Sequence, residues 1–544
     1  MKLYQALAQA FAQEGVTDCF ALLGDANMHW AGALAEQGVN FIYTRHEHAA
    51  VAGAAAYARA SGRVGCATVT CGPGLTQIMT VLPIAVRARL PMVIFVGEAP
   101  LHKRWYNQGI DQAPFVEACG ATYIPLHDPD QMIREIHSAF AKAKSDRCPV
   151  VLGAPFDLQS QDWMGQVDWP TSEALYTPPA LIEPNPELIA EAARWISDAQ
   201  RPILIAGLGA VAARAACVAL AEKAGALLAT TLPTKGLFRD QDFCLGVAGG
   251  FSSEGAKAIF AQSDLIIGIG ARMAAHTFDG GKLTPDARVI HMDIAPQDVV
   301  QGRKSTDLLI KSDARLGAEA LSAAMKPRIG WRSTAMKNAA KDALRLPDDR
   351  ETPNGALHPM AVVKALSQVI PKTCHIINTS GHSAYYTAQM NDHPHDHYTV
   401  IREFGAIGNG TSFALGIAAA HPDRPVVLID GDGSALMHIQ ELETMIRHKM
   451  HVLIVVMNDG AYGSEVHKLR ADGVSDAGSV FGRPDFAGIG KGFGFAGTTI
   501  TDLGDMQSQM EAFLSAPRPA IWDIHISDQI ASPQILRAHK AAHS

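Results

Sequence analysis

The 544-residue chain is short of several things, and each shortage closes off a class of function. Positive charge is scarce: 46 Lys and Arg stand against 54 Asp and Glu, for a net charge of −8. A nucleic-acid binder needs a basic face to neutralise phosphates, so that role is not expected. No apolar run reaches the ~20 residues that cross a bilayer, so no membrane span is expected. The opening MKLYQALAQAFAQEGV has the pattern of an amphipathic helix and lacks the basic and long apolar stretches of a secretory signal. The eight cysteines are scattered, with no CxxC and no Cys/His cluster at zinc spacing. Reduced core thiols in a cytoplasmic protein are the expectation. HPHDH (393–397) reads as a solvated His-rich turn.

What remains is a globular balance, 48% hydrophobic and 18% charged, at a length that calls for about three domains. Short β-branched apolar runs alternate with Ala-rich helical stretches, the pattern of parallel sheets covered by helices on both faces. The first series is DCFALL (18–23), FIYT (41–44), GCATVT (65–70), MVIFVG (92–97) and VVLGAP (150–155). A Pro-, Trp- and polar-rich stretch at 160–186 reads as a linker. The second series is PILIAG (202–207), LLAT (227–230), LIIGIG (265–270) and RVIHMD (288–293), and 326–358 again reads as connecting. The third is HIINTS (375–380), PVVLID (425–430), VLIVVMN (452–458) and AIWDIHI (520–526). The fold class is therefore α/β, with three doubly wound parallel-sheet domains at 1–165, 187–325 and 355–530.

Residues 430–460 carry the sharpest chemical signal. The strand PVVLID runs into Gly431-Asp432-Gly433-Ser434, an amphipathic helix follows with Leu436, Ile439, Leu442, Met445 and Ile446 on one face, and VLIVVM delivers Asn458-Asp459-Gly460. This βαβ unit puts Asp432 and Asn458 at the carboxyl ends of parallel strands, where open sheets bind ligands. Mg²⁺ is hard and octahedral and takes few protein oxygens plus substrate phosphates. Asp432 supplies charge, Asn458 a neutral oxygen, and a carbonyl near Gly460 a third ligand. The glycines let backbone N–H groups approach diphosphate oxygens at a helix start. Alone, a GDG string is a common turn.

The strand–GDG–helix–strand–Asn combination resembles the diphosphate-binding motif of thiamine-diphosphate enzymes. The family usually ends that motif Asn-Asn, and here Asp459 takes the second place. RHEHAAVAGAAAYARASG (45–62) resembles a block of acetolactate synthases and their relatives. That resemblance assigns Glu47 the hydrogen bond to N1′ of the aminopyrimidine, which helps the ring's own amino group take the thiazolium proton. Without the resemblance, Glu47 is an acid at a helix N-terminus. TCGPGLTQ (70–77) resembles the loop near the reacting end of the cofactor, with Gly72 in it. In REFGAIGNG (402–410) the match makes Ile407 the apolar wedge beneath the bent cofactor and the Gly405 carbonyl the acceptor for the 4′-amino group. TSGHSAY (379–385) makes His382 a phosphate or substrate contact. Asn107-Gln108-Gly109-Ile110-Asp111-Gln112 mixes a synthase glutamine, Gln108, with the GIDQ string of benzaldehyde lyase. Gln108, Gln112 and Asn27 are the polar substrate-contact candidates, and Asn27 is otherwise a helix cap.

The resemblance spans about 1–530. It implies pyrimidine-binding, central and diphosphate-binding domains, thiamine diphosphate and Mg²⁺ as cofactors, and a homodimer or homotetramer in which Glu47 and Asp432 meet across a subunit interface. GIGARMAAHTFDGG (268–281) keeps Arg272 but lacks the Phe-Asp-Asp-Arg continuation of FAD-binding synthases, so FAD is not expected. The implied chemistry is carboligation on a small 2-oxo acid, aldehyde or acyloin. Decarboxylation or acyloin cleavage is the close alternative, and a flavin-dependent oxidase or a non-catalytic cofactor binder the more distant ones. The terminal RAHKAAHS reads as a lid or a frayed end.

Overall fold

The computed structural model describes residues 1–300, 303–347, 351–352 and 355–542. Parts of the connecting stretch 326–358 and the last two residues of RAHKAAHS thus lie outside the described residues. Three six-stranded parallel sheets organise the chain. The first is built from β1 (Asp18–Ala21), β2 (Asn40–Tyr43), β3 (Gly65–Val69), β4 (Met92–Glu98), β5 (Thr122–Pro125) and β6 (Pro149–Pro155), in the order β2-β1-β3-β4-β6-β5. The central sheet uses β7 (Pro202–Ala206), β8 (Leu227–Thr230), β9 (Cys244–Val247), β10 (Leu265–Ile269) and β11 (Arg288–Asp293). A small antiparallel pair, β12 (Val299–Val300) and β13 (Arg303–Lys304), precedes its last strand, β14 (Leu308–Lys311), and the order is β14-β11-β10-β7-β8-β9. The third sheet has β15 (His375–Asn378), β16 (Tyr398–Val400), β17 (Val426–Gly431), β18 (Val452–Asn458), β19 (Ala496–Ile500) and β20 (Ala520–His525). Its order, β16-β15-β17-β18-β20-β19, repeats that of the first sheet strand for strand.

The interior strands β3, β7, β10 and β18 are buried at every position, because helices cover both faces and only unbroken Val/Ile/Leu runs tolerate that. Helix Glu47–Ser61 is buried from His48 to Ala58 and ends at Gly62, whose positive φ suits a C-cap glycine. Its Ala and Gly residues let the backbone come close to helix Gly410–Ala420: a Cβ on Gly416 would overlap the Gly53 carbonyl. One apolar cluster therefore runs from the first sheet into the third, joining Phe20 and Val69 to Phe413, Leu428 and Ile454.

Three local expectations are corrected. The single helix after GDGS is broken into Asp432–Met437 and Glu441–Arg447, where the His438 Nδ1 meets the Gly408 carbonyl at 2.7 Å. The connecting stretch 326–358 contains helix Thr334–Ala343. HPHDH is not simply solvated: His393 is buried against the Cys374 carbonyl (2.9 Å), and His397 holds the Lys372 carbonyl (2.6 Å). No helix among the described residues is long and apolar enough to cross a membrane.

Candidate active site

Strand order in the third sheet reverses between β15 and β17, and open α/β sheets bind ligands in the crevice at that point. A cavity of ≈ 50 Å³ lies there, walled by residues 380–383 after β15, 431–434 after β17 and 461–465 after β18, with Ile407 alongside. Asp430, the last buried carboxylate of β17, organises the loops. Its oxygens accept from Thr379 Oγ1 (2.7 Å), the Gly431 N–H (3.0 Å) and Ser434 Oγ (2.9 Å), and Ser434 Oγ in turn accepts the Gly408 N–H (2.9 Å). Burial pushes Asp430 up to about 6. The Ser434 hydroxyl is thus committed inside the protein and is not free to serve a diphosphate.

Asp432 lines the cavity and is 1% exposed. Its Oδ1 accepts the Gly433 N–H (2.9 Å) and its Oδ2 the Gly460 N–H (2.7 Å). The carboxylate that joins it is Asp459, not Asn458. Side chains alternate along a strand, so Met457 and Asp459 face the cavity and Asn458 faces away. The Asn458 amide donates to the Pro484 carbonyl (3.1 Å) and Asp523 Oδ1 (2.9 Å), and its oxygen is buried without a hydrogen bond. The Gly460 carbonyl oxygen accepts from the N–H groups of Phe481 and Gly482, both at 3.0 Å. Ala461 is the turn residue that shares the wall.

Asp432 and Asp459 stand close enough to share a proton, and burial raises both above the ordinary carboxylate range, with repulsion from Asp459 adding to the effect on Asp432. Among the described residues no group of three or more His, Cys, Asp or Glu is placed to hold a metal, so a cation here would draw its other ligands from a phosphate, water or the backbone. The remaining polar groups fit such a ligand. The hydroxyls of Ser380 and Ser383 are buried in the same wall with no partner, and Gly431 leaves space, its nearest neighbour to a Cβ being Ser383 Oγ at 3.8 Å. Gly433 is required for another reason: a Cβ there would press on the Tyr462 ring at 2.5 Å. His382 accepts the Ser532 N–H on Nε2 (2.9 Å), which leaves the proton on Nδ1, 4.0 Å from Asp459 Oδ2. Burial lowers its pKa to about 4, so the ring is neutral.

The other candidates lie on the loop before helix Gly410–Ala420 and in the first domain. Gly405 is exposed with φ 77°, and Ile407 is half-buried in the cavity wall. Glu47 opens its helix with a side chain 16% exposed, 4.0 Å from His46 Nδ1, and it does not line this chain's cavity. Its neighbour His48 is bonded to Asn409 Oδ1 at 2.7 Å, which ties the first domain to the third within one chain. Gln108 is half-buried, with Oε1 3.4 Å from Cys71 Sγ. The amides of Asn27 and Gln112 are used within the chain. Asn27 is fully buried at the N-cap position of helix Met28–Glu36, but its side chain caps no helix N–H: Oδ1 accepts the Gly24 N–H (2.8 Å), and Nδ2 donates to the Leu22 carbonyl and Thr68 Oγ1, both 3.0 Å. Gln112 is 3% exposed, and both ends of its amide are used internally.

Profiles of the thiamine pyrophosphate enzymes match the chain three times: the N-terminal TPP binding domain over residues 1–115, the central domain over 189–322 and the C-terminal TPP binding domain over 379–524. The acetolactate synthase large subunit of Parasynechococcus marenigrum is 31% identical over 551 residues, covering 96% of this chain and 87% of that protein. Acetolactate synthase 2, chloroplastic, of Zea mays is 28% identical over 550 residues, 96% of this chain and 85% of its own length. The acetolactate synthase isozyme 2 large subunit of Escherichia coli is 27% identical over 541 residues, 96% of this chain and 95% of its own. With the repeated sheet order and a cavity at the third sheet's switch point, these matches establish that the chain belongs to the thiamine-diphosphate enzyme family, in its acetolactate-synthase-like branch.

Proposed function

We propose that the chain is a Mg²⁺-dependent, acetolactate-synthase-like carboligase acting on 2-oxo acids or acyloins. The observation that carries this reading is the pair of buried carboxylates Asp432 and Asp459 beside the unpartnered hydroxyls of Ser380 and Ser383. Two adjacent buried carboxylates are costly unless a cation joins them, and partnerless buried donors are costly unless an anion does. Asp432 and Asp459 would hold the cation, and Ser380, Ser383 and the Nδ1–H of His382 the diphosphate oxygens. Gly405 would accept the 4′-amino group, and Ile407 would support the bend of the cofactor. Bound there, thiamine diphosphate supplies the electron sink for bonds beside a carbonyl.

Glu47 would hold the proton at N1′ of the aminopyrimidine. It is absent from the wall of its own chain's cavity, which supports an arrangement in which a second copy supplies it and the enzyme is a homodimer or homotetramer. Apolar residues left exposed on both halves support the same arrangement: Leu101, Trp105 and Ile110 on the first domain, and Phe404, Met437 and Phe481 on the third. Gly72 and Gln108 would face the substrate end.

Assay of a panel of 2-oxo acids and acyloins with thiamine diphosphate and Mg²⁺ tests the reading. A coupled acyloin product supports carboligation. Aldehyde alone makes the enzyme a decarboxylase or lyase, and oxidative turnover that reduces an added flavin overturns the proposal.

A further inference from the structure

At the rim of the first domain, buried polar side chains form a chain that the chemistry above does not use. Gln112 Oε1 accepts the Gly72 N–H at 2.9 Å. Gln112 Nε2 donates to the Gly97 carbonyl and to the Tyr123 hydroxyl oxygen, both at 3.1 Å. The Tyr123 hydroxyl donates to Glu98 Oε1, and Glu98 Oε2 meets His127 Nε2 at 2.5 Å where the ring reaches the surface. Three strands converge on this point. Glu98 ends β4, Tyr123 lies in β5, and Gly153 of β6 makes the room: a Cβ there would overlap the Tyr123 hydroxyl and lie 2.7 Å from Glu98 Oε1.

The polarity of the chain is fixed from one end. The Glu98 carboxylate can only accept, so the Tyr123 proton points to it and a phenol lone pair is left facing Gln112. That lone pair and the Gly97 carbonyl together require the NH₂ end of the Gln112 amide. The amide oxygen is thereby turned to the Gly72 N–H. Gly72 needs such a hold. It sits at φ 57°, ψ −104°, and a Cβ on it would overlap the Gln108 carbonyl. The orientation of the Gly72 peptide therefore sets where residues 106–108 can lie.

We propose that Glu98 and Tyr123 are positioning residues for the substrate side of the active site: through the Gln112 amide they hold the Gly72 peptide and, with it, the segment that presents Gln108. The proposal rests on the reading of Gly72 and Gln108 as substrate-side residues. Without Glu98, the phenol proton is free to turn toward the Gln112 NH₂ group, and the amide's hold on the Gly72 N–H is left to the Gly97 carbonyl alone.

The test uses the full-length enzyme saturated with thiamine diphosphate and Mg²⁺, on whichever 2-oxo acid it turns over. Tyr123→Phe and Glu98→Ala are expected to raise KM about fivefold to tenfold, the loss of one buried hydrogen bond. Cofactor affinity stays within about twofold, because the diphosphate groups lie in the third domain. Glu98→Gln, which still accepts the phenol proton, returns KM to the wild-type value. Amide hydrogen exchange in peptides covering Gly72 and 106–112 reads the same device without turnover: protection falls in Tyr123→Phe and Glu98→Ala and is kept in Glu98→Gln. Unchanged exchange in Tyr123→Phe, or a Glu98→Gln variant as impaired as Glu98→Ala, overturns the proposal. A wild-type protein that turns over no 2-oxo acid overturns the proposed function instead, and the exchange measurement then decides this inference alone.

Discussion

Replacing Asp459 with Asn interrogates the cation site through its charge. Two unit charges about 4 Å apart repel by roughly 4 kcal/mol at an effective dielectric near 20. Burial holds both carboxyls above their ordinary range, and repulsion from Asp459 adds to the effect on Asp432, so without a cation the protein avoids part of that cost by keeping a proton on the pair. The sign of the pH dependence follows. A carboxyl whose folded pKa exceeds its unfolded value of about 4 binds a proton more tightly in the fold, so stability falls as pH rises from about 4 through the folded value. The cation-free protein is therefore less stable at neutral pH than its packing alone would make it, and an arriving cation must expel the shared proton. In Asp459→Asn the repulsion is gone, so Asp432 moves down although burial still holds it raised, while the amide oxygen can still ligate. Titration calorimetry of Mg²⁺ in the presence of thiamine diphosphate, in two buffers of different ionisation enthalpy near pH 7, counts the protons. The wild type should release about one proton per cation and the variant measurably fewer, with weaker but measurable binding. The cation-free variant should also melt higher than the cation-free wild type. Equal proton release in the two proteins refutes this reasoning. So does loss of binding in Asn458→Ala with Asp459→Asn unaffected.

Acid should weaken the fold through its buried imidazoles. His48 and His393 are neutral, with pKa values lowered to about 4 chiefly by burial, so their contribution is intact above the unfolded value of about 6.5 and is lost as pH falls toward 4. The raised Asp430, Asp432 and Asp459 act in the opposite sense over this window, so the histidine effect, up to about 3 kcal/mol each, is read as a difference: urea midpoints should fall less between pH 7 and 4 in His48→Asn than in the wild type, and parallel profiles contradict this. Asn27→Ala leaves the partners of three buried hydrogen bonds unpaired and should cost about 3 kcal/mol of stability, read by urea denaturation, with cofactor affinity unchanged. A variant of wild-type stability with a raised KM would return Asn27 to the substrate site. Gly416→Ala forces a methyl against the Gly53 carbonyl and should cost about 1–3 kcal/mol by separating the paired helices, seen as a lower melting temperature.

The sequence pattern found interior strands and missed edges for a physical reason. β5, β9, β14, β16 and β19 escaped notice, and each lies at the edge of its sheet. β5 and β19 are only half-buried for most of their length, and β16 has three residues, so none makes the long apolar run that burial on both faces enforces. The GDG turn at the cavity wall was legible because Gly and Asp are needed there whatever surrounds them. The choice between Asn458 and Asp459 was not legible from the motif's spacing; the structure puts Asp459 in the cavity wall and ties the Asn458 amide to Pro484 and Asp523. Asp430 and Ser380 gave no signal beyond their place beside Gly, and Ser383 none at all, since their roles depend on loops brought together across the crevice. Asn27 and Gln112 looked like ligand contacts because polar residues at strand ends often are. The fold uses their amides to stitch the β1, β3 and β4 exit loops to one another, and only a list of hydrogen-bond partners distinguishes the two uses.

The central claim is that Glu47 of one copy and Asp432 of another serve the same cofactor, and subunit mixing tests it most directly. Glu47→Gln and Asp432→Asn chains are each expected to lose activity by about 100-fold or more while remaining folded. Denatured together and refolded at equal amounts, random pairing gives half mixed dimers, each with one intact site, so activity should return to about a quarter of the wild type. No recovery in the mixture, with mixed dimers present by mass, would mean that the two carboxylates act within one chain and would contradict the account.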